Sequence, residues 1–324
     1  MKEFALFIGC NIPAKIPQYD ISARAVLKKL DIKVQDNKDF NCCGYPARNT
    51  DQIVWLLSAA RNIALAEKSG LDMLVLCNCC FGSLKNADAL LKKDSTLKDK
   101  INGILTEEGL EYTGDCTISH FLSVLHNDIT VQEIKKKMVE FYKDLKIATH
   151  YGCHLLRPSD VMEFDDPVSP SIFDDLVQVT GAKSIDWPSK LDCCGAPVLG
   201  INDSLSYDLT KTKLLNAKNA GADFICVTCP WCHMQFDKIQ NQIPLERDKA
   251  HKLPSILYTQ LLGLRLGISR ETLGIDTNHE SQTFYKAYSK LFETVAEQEK
   301  PKKKKKAEKK ATGKKAEKKA KTVA

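Results

Sequence analysis

The chain has 324 residues, 43% of them hydrophobic, thirteen cysteines and a formal net charge of +6. That is enough apolar material for two domains of ordinary size. No apolar run approaches the roughly 18–20 residues of a membrane span, and Met1-Lys2-Glu3-Phe4 leads into a strand rather than a signal peptide, so the reading is a cytoplasmic chain whose clustered thiols are metal ligands and not an extracellular disulfide framework.

In chain order, the first half alternates strand and helix. Phe4 to Ile8 is a short apolar strand ending at Cys10, and Tyr19 to Leu30 has helical periodicity. Ile32 to Val34 reads as a strand leading to Cys42-Cys43-Gly44. Thr50 to Lys68 is a long helix, capped by Thr50 or Asp51 and stopped at Gly70. Met73 to Leu76 is a strand delivering Cys77. From Leu90 to Tyr142 the pattern is mostly helical. The second half repeats the order: Ile147 to His150 leads to Cys153, Ile172 to Val179 is a helix, Lys183 to Trp187 precedes a second cysteine pair, Asp203 to Ala220 is a helix, and Phe224 to Thr228 delivers Cys229. Pro254 to Leu266 reads as one more helix. Strand–helix alternation predicts an α/β fold with parallel sheets, one small sheet per half and helices flanking it. Cysteines at the C-terminal ends of such strands stand where ligands of open α/β sheets collect.

Ten cysteines form two copies of one pattern. The first is Cys10, Cys42-Cys43, Cys77 and Cys80; the second is Cys153, Cys193-Cys194, Cys229 and Cys232. Each lone cysteine follows a glycine, each pair reads Cys-Cys-Gly-x-Pro, and each C-x-x-C follows Gly-x-Asp and an apolar strand. The glycines Gly44 and Gly195 stand 151 positions apart, too far for solenoid repeats and right for a duplicated domain. Five thiols suit a four-ligand zinc site poorly. Adjacent side chains on extended backbone diverge, so a Cys-Cys pair serves two different metal atoms, which favours a multinuclear iron–sulfur cluster. Gly44 and Gly195 let the backbone turn sharply beside it. Of the other thiols, Cys79 reads as a spacer, because Pro230-Trp231 fills the second C-x-x-C, and Cys116 and Cys226 read as small hydrophobes.

The positive charge is local. Residues 302–324 hold twelve lysines against two glutamates, leaving the remainder of the chain acidic. This Lys/Ala segment has no apolar face and reads as disordered. It could serve as a nucleic-acid or anionic-lipid arm or as a solubilising appendage; without interleaved aromatics or an adjoining binding fold the appendage is favoured.

The doubled C-x(31–39)-C-C-G-x(32–33)-C-x-x-C resembles the CCG-domain family, in the form of the catalytic B subunits of heterodisulfide reductases from methanogens. Supporting runs are Cys77-Asn78-Cys79-Cys80-Phe81-Gly82-Ser83-Leu84, Gly152-Cys153-His154-Leu155-Leu156-Arg157-Pro158 and Tyr258-Thr259-Gln260-Leu261-Leu262-Gly263-Leu264. The resemblance covers residues 1–275; the lysine tail lies outside it. It implies an N-terminal CCG domain with a helical linker over 1–145 and a second over 146–290 related by a pseudo-twofold; the Lys-rich tail follows at 291–324. It further implies two noncubane 4Fe–4S clusters, each on five cysteines, and reduction of the coenzyme M–coenzyme B mixed disulfide to two thiols, each cluster supplying one of the two electrons. Implied partners are a separate ferredoxin-like iron–sulfur subunit, a flavin-bifurcating subunit beyond it, and a hydrogenase or formate dehydrogenase upstream. His154 and His233, each following a ligand cysteine, are candidate proton donors or hydrogen-bond partners of the ligands. Arg48 and Arg157 lie near the motifs and are candidates for binding the anionic coenzymes. Two rival readings stand beside this one: a CCG electron-transfer subunit of a lactate, glycolate or succinate oxidoreductase, and a non-enzymatic protein stapled by zinc.

Overall fold

In the computed structural model the described residues are 3–244 and 251–279; the lysine tail lies outside them. Each half contains a four-stranded, all-parallel sheet. In the first, β1 (Glu3–Phe7), β2 (Lys33–Gln35), β3 (Asp72–Val75) and β4 (Ile118–His120) are ordered β2-β1-β3-β4. In the second, β5 (Lys146–His150), β6 (Lys183–Ser184), β7 (Phe224–Val227) and β8 (Ser255–Leu257) are ordered β6-β5-β7-β8. Central strands of a parallel sheet are covered on both faces and read as continuous apolar runs; β7, Phe-Ile-Cys-Val, is buried at every residue.

The strand order changes direction between β1 and β3, and between β5 and β7. Ligands of open α/β sheets gather at the carboxyl ends beside such a switch. Register makes this concrete: Phe7 pairs with Val75 and His150 with Val227, so the chain leaves both strands of each pair at one level. Cys10 and Cys77 therefore emerge on one rim, and Cys153 and Cys229 on the other.

The long helices are Gln52–Lys68 and Asp203–Asn219, each of 17 residues. Asp51 caps the first, its side chain accepting from Val54 N at 3.1 Å, and Asn202 caps the second by accepting from Leu205 N at 3.0 Å. Two expectations need correction. The stretch between the halves is interrupted by β4, and the predicted helix at Pro254 begins as β8 before turning helical at Tyr258–Arg265. Both missed strands are three residues long and run straight into a helix, which leaves no length for a period of two to show.

The halves are tightly joined. The helix Pro17–Lys29 of the first packs on Tyr258–Arg265 of the second, with Ser22 Oγ 2.6 Å from Thr259 Oγ1. Tyr19, fully buried, sets its hydroxyl 2.8 Å from the carbonyl of Leu76 and 2.7 Å from that of Thr228. Those two residues immediately precede Cys77 and Cys229. One phenol thus ties together the two equivalent turns that carry the C-x-x-C motifs.

Candidate metal centre

Both C-x-x-C motifs sit on helix N-termini. Cys77 is the extended N-cap of Asn78–Lys93 and Cys229 that of Pro230–Asp237. An N-cap side chain and the third helical residue approach each other, the geometry behind the capping box, so Cys77 turns toward Cys80 and Cys229 toward Cys232. The positive end of a helix also favours thiolate over thiol. Hydrogen bonds from Cys232, Cys77 and Cys79 hold Cys229 well below the ordinary thiol range.

The paired cysteines lie in loops pivoting on glycine. Gly44 has φ +76° and Gly195 φ +91°; a Cβ would stand 2.7 Å from the Trp55 carbonyl at one and 2.6 Å from the Ser206 carbonyl at the other. Only glycine tolerates both the conformation and the approach. At these loops the neighbouring thiols stay in contact with each other but each takes a different further partner. Cys42 Sγ lies 3.6 Å from Cys10 Sγ while Cys43 contacts Cys80. In the second copy Cys193 contacts Cys153, and Cys194 Sγ lies 3.5 Å from Cys232 Sγ. Each set is thus a string: lone cysteine, pair, then C-x-x-C. The first cysteine of each pair is the member held toward thiolate, while the second is pushed up to about 12, chiefly by its bond to the first. Hydrogen bonds from Cys10 and Cys43 push Cys42 down to about 2, and bonds from Cys153 and Cys194 do the same for Cys193. The backbone N–H of Gly195 adds a bond to Cys193 Sγ at 3.4 Å.

The two strings meet at their ends. Cys77, Cys79 and Cys229 place their sulfurs within 4.8 Å of one another. Asn78 crosses the junction: its Nδ2 donates to the Tyr151 carbonyl at 2.6 Å, and its Oδ1 accepts from Thr228 Oγ1 at 3.3 Å. Gly152, at φ +77°, makes room for it, since a Cβ there would lie 2.9 Å from Asn78 Nδ2. Beside the junction is a cavity of about 250 Å³, bordered by the second string, Cys79, His154, Tyr45, Leu199 and Trp231.

Similarity to known proteins agrees with these features. The cysteine-rich domain model, CCG, matches residues 4–85 and 147–237, both halves of the chain. The chain belongs to the CCG cysteine-rich domain family. It is 38% identical over 282 residues to the B subunit of the ferredoxin/F420H2-dependent CoB-CoM heterodisulfide reductase of Methanosarcina acetivorans, covering 86% of this chain and 94% of that protein. It is also 32% identical over 278 residues to the membrane anchor subunit of the 8-methylmenaquinol:fumarate reductase of Wolinella succinogenes, covering 86% and 96%. Among solved structures, a hypothetical protein from Helicobacter pylori shares the fold with a TM-score of 0.66 at 18% identity; the match spans 86% of this chain and 52% of that one.

The donor set fits the soft-metal clusters that the CCG family implies. All thirteen cysteines are free thiols and ten of them converge in two strings; among the described residues the imidazole of His150 stands within 4.8 Å of Cys194 and Cys232, and no carboxylate joins either string. Thiolate donors, with one imidazole at the edge of the second string, select zinc, copper(I) or iron–sulfur clusters over hard ions. Of the other candidates, His154 borders the cavity, its Nδ1 3.3 Å from Cys79 Sγ and its ring edge-on to Tyr45 at 5.0 Å. Burial lowers its basicity. His233 lies elsewhere, fully buried with Nδ1 3.0 Å from Ser255 Oγ. Arg48 stacks over Trp55 at 5.2 Å, and Arg157 is exposed; neither borders the cavity. Cys116 and Cys226 are buried, and burial pushes the first up to about 12 and the second well above the ordinary thiol value. Cys79, read from sequence as a spacer, lies within the junction of the two strings.

Sequence reading does not single out Tyr19, Asn78, His150 or Lys213. His150 Nε2 is 3.2 Å from Cys232 Sγ, and Lys213 is buried beside the second string with 1% of its surface exposed. Comparing the two copies position by position offers a signal for the last two. Counting back from the lone cysteines, His150 stands where the first copy has Phe7; counting from the glycines, Lys213 stands where it has Asn62. Tyr19 and Asn78 differ between the copies as well, but what they do depends on partners far away in sequence, the Leu76 and Thr228 carbonyls for the first and the Tyr151 carbonyl and Thr228 hydroxyl for the second.

Proposed function

We propose that this chain is the disulfide-cleaving subunit of a heterodisulfide reductase, an oxidoreductase converting the coenzyme M–coenzyme B disulfide to its two thiols. What supports the reading most is a pair of complete five-thiol strings that meet at Cys77 and Cys229 beside a cavity, in a chain 38% identical to the B subunit of a heterodisulfide reductase. Cys10, Cys42, Cys43, Cys77 and Cys80 would hold one noncubane 4Fe–4S cluster, and Cys153, Cys193, Cys194, Cys229 and Cys232 the other. When bound, such clusters supply one-electron chemistry at thiolate-held iron. Five thiols in a string suit several metal atoms better than one tetrahedral ion, whose four ligands converge on a point.

The reaction breaks one S–S bond, takes up two electrons and two protons, and leaves two thiols. Tyr45, Pro46, Pro197, Leu199 and Trp231 wall the cavity with apolar surface that would keep water from a bound disulfide. With Nδ1 of His154 engaged by Cys79, Nε2 is the atom available to pass a proton to a departing thiolate. His233 would act only through the packing behind Cys232. Arg48 and Arg157 would receive the sulfonate, phosphate and carboxylate groups outside the apolar chamber. Electrons would come from a ferredoxin-like iron–sulfur subunit in a cytoplasmic complex, with a flavin-bifurcating subunit and a hydrogenase or formate dehydrogenase behind it. Among the described residues, no helix is long and apolar enough to cross a membrane.

The fumarate reductase relative supports a second reading, in which the chain relays electrons without touching a disulfide. Iron and acid-labile sulfide on anaerobically purified protein, followed by thiol release from the heterodisulfide with a reduced viologen dye, separates the two. About eight iron per chain and stoichiometric thiol release are expected. Full loading without thiol release would favour the relay, and zinc without sulfide would end the redox reading.

A further inference from the structure

Lys213 lies near the middle of the helix Asp203–Asn219 and is buried. Its ammonium donates to the carbonyl of Ser189, lies 3.5 Å from that of Lys190 and stands 4.8 Å from the centroid of the Trp187 ring. Among the described residues no carboxylate lies within ion-pair distance of it. Burying an ammonium without a counter-ion is strongly unfavourable, so a chain that keeps one there has an anion for it to face. One turn earlier on the same helix Thr210 Oγ1 donates to the Cys194 carbonyl at 3.1 Å, which sets Lys213 beside the second string; the negative field there comes from Asp192, which is exposed and therefore screened, from the buried Cys194 and Cys232, and from the half-buried Cys153. Three of the five thiols of the second string are thus its electrostatic partners.

Among the described residues the first string has no such buried cation. At the matching position of the 17-residue helix Gln52–Lys68 stands Asn62, an amide that donates to the carbonyls of Cys42 and Ser58 and to Asn41 Oδ1. The neighbouring difference runs the same way: the second string has the imidazole of His150 against Cys232 Sγ, where the first has the phenyl ring of Phe7. We infer that Lys213 is the resident counter-ion of the Cys153–Cys232 string and holds up the reduction potential of the centre bound there, making the two halves of the duplication electronically unequal. Adding an electron adds negative charge, and a fixed cation in a low-dielectric setting favours the reduced form. This rests on the reading that the string carries an iron–sulfur cluster.

The test is a potentiometric titration of the anaerobically purified, fully loaded protein, followed by EPR, for wild type, K213Q, K213R and K213M. Gln keeps a donor for the Ser189 carbonyl without charge, Arg keeps the charge, and Met keeps the bulk alone. The expected result is that one of the two centres shifts to lower potential in K213Q and K213M, with iron content unchanged, while K213R stays near wild type and the other centre does not move. Unchanged midpoints in fully loaded K213Q would overturn the inference, and so would equal shifts at both centres. K213Q answers the question even if K213M does not fold. Wild-type protein lacking iron and sulfide would instead overturn the cluster reading beneath it, which the metal analysis registers before any titration.

Discussion

Gly195 shows how one residue type decides whether a ligand loop can exist. At φ +91° an L side chain is strained, and its Cβ would press on the Ser206 carbonyl at 2.6 Å. Gly195→Ala should therefore cost about 1–3 kcal/mol, read as a lower midpoint in urea denaturation, and should empty the second string before the first. Iron falling toward half its wild-type content is the expected signature. Cysteines and glycines of this kind are legible in a sequence because their chemistry is carried by residue type and spacing. Lys213 is not, since a lysine in a helix ordinarily points to solvent and only the loop of Trp187, Ser189 and Lys190 packed over it shows otherwise. His120 adds a pH-dependent term. It is fully buried, with Nδ1 accepting from Leu122 N at 3.2 Å and Nε2 3.1 Å from Asn78 Oδ1, which fixes a neutral ring between donor and acceptor. Burial pushes it down to about 3 from an ordinary value of 6.5. Because the folded value lies below the unfolded one, its contribution to stability is complete above pH 6.5 and is lost as pH falls toward 3. His120→Gln should flatten the acid limb of a stability–pH curve measured by denaturation from about pH 6.5 down to about pH 4.

Among the elements, the helices carrying the C-x-x-C motifs do most to shape the centre, because an extended N-cap cysteine and a cysteine three residues on are brought together by the helix turn itself. That much follows from spacing. The edge strands β4 and β8 do not: three residues give no period to read, and their strand character comes from pairing with β3 and β7. Nor does the helix Pro17–Lys29 announce its role. Its Tyr19 gives one hydroxyl to two buried carbonyls, those before Cys77 and Cys229. Tyr19→Phe leaves both without that donor and should destabilise the protein by about 1–3 kcal/mol. Chemical denaturation should report that loss, and a shift in the EPR line shape of both centres would distinguish it from loss of packing alone.

For the whole molecule, duplication was legible because the cysteine pattern repeats, and the parallel α/β architecture followed from strand–helix alternation. How the copies meet was not, since that depends on side chains reaching across from one half to the backbone of the other. The junction is also one-sided. Asn78 of the first half fills the space that Gly152 leaves open in the second, while the residue matching Asn78 in the second copy is Pro230, which lacks an amide side chain to return the contact. A founding single-domain protein would have met an identical copy through two equal contacts. The second half could not restore that symmetry with a copy of itself, because Pro230 offers no amide, whereas the first half still carries both Asn78 and a matching glycine, Gly9 at φ +65°; an exchange that replaced the first half by a copy of the second would lose the contact.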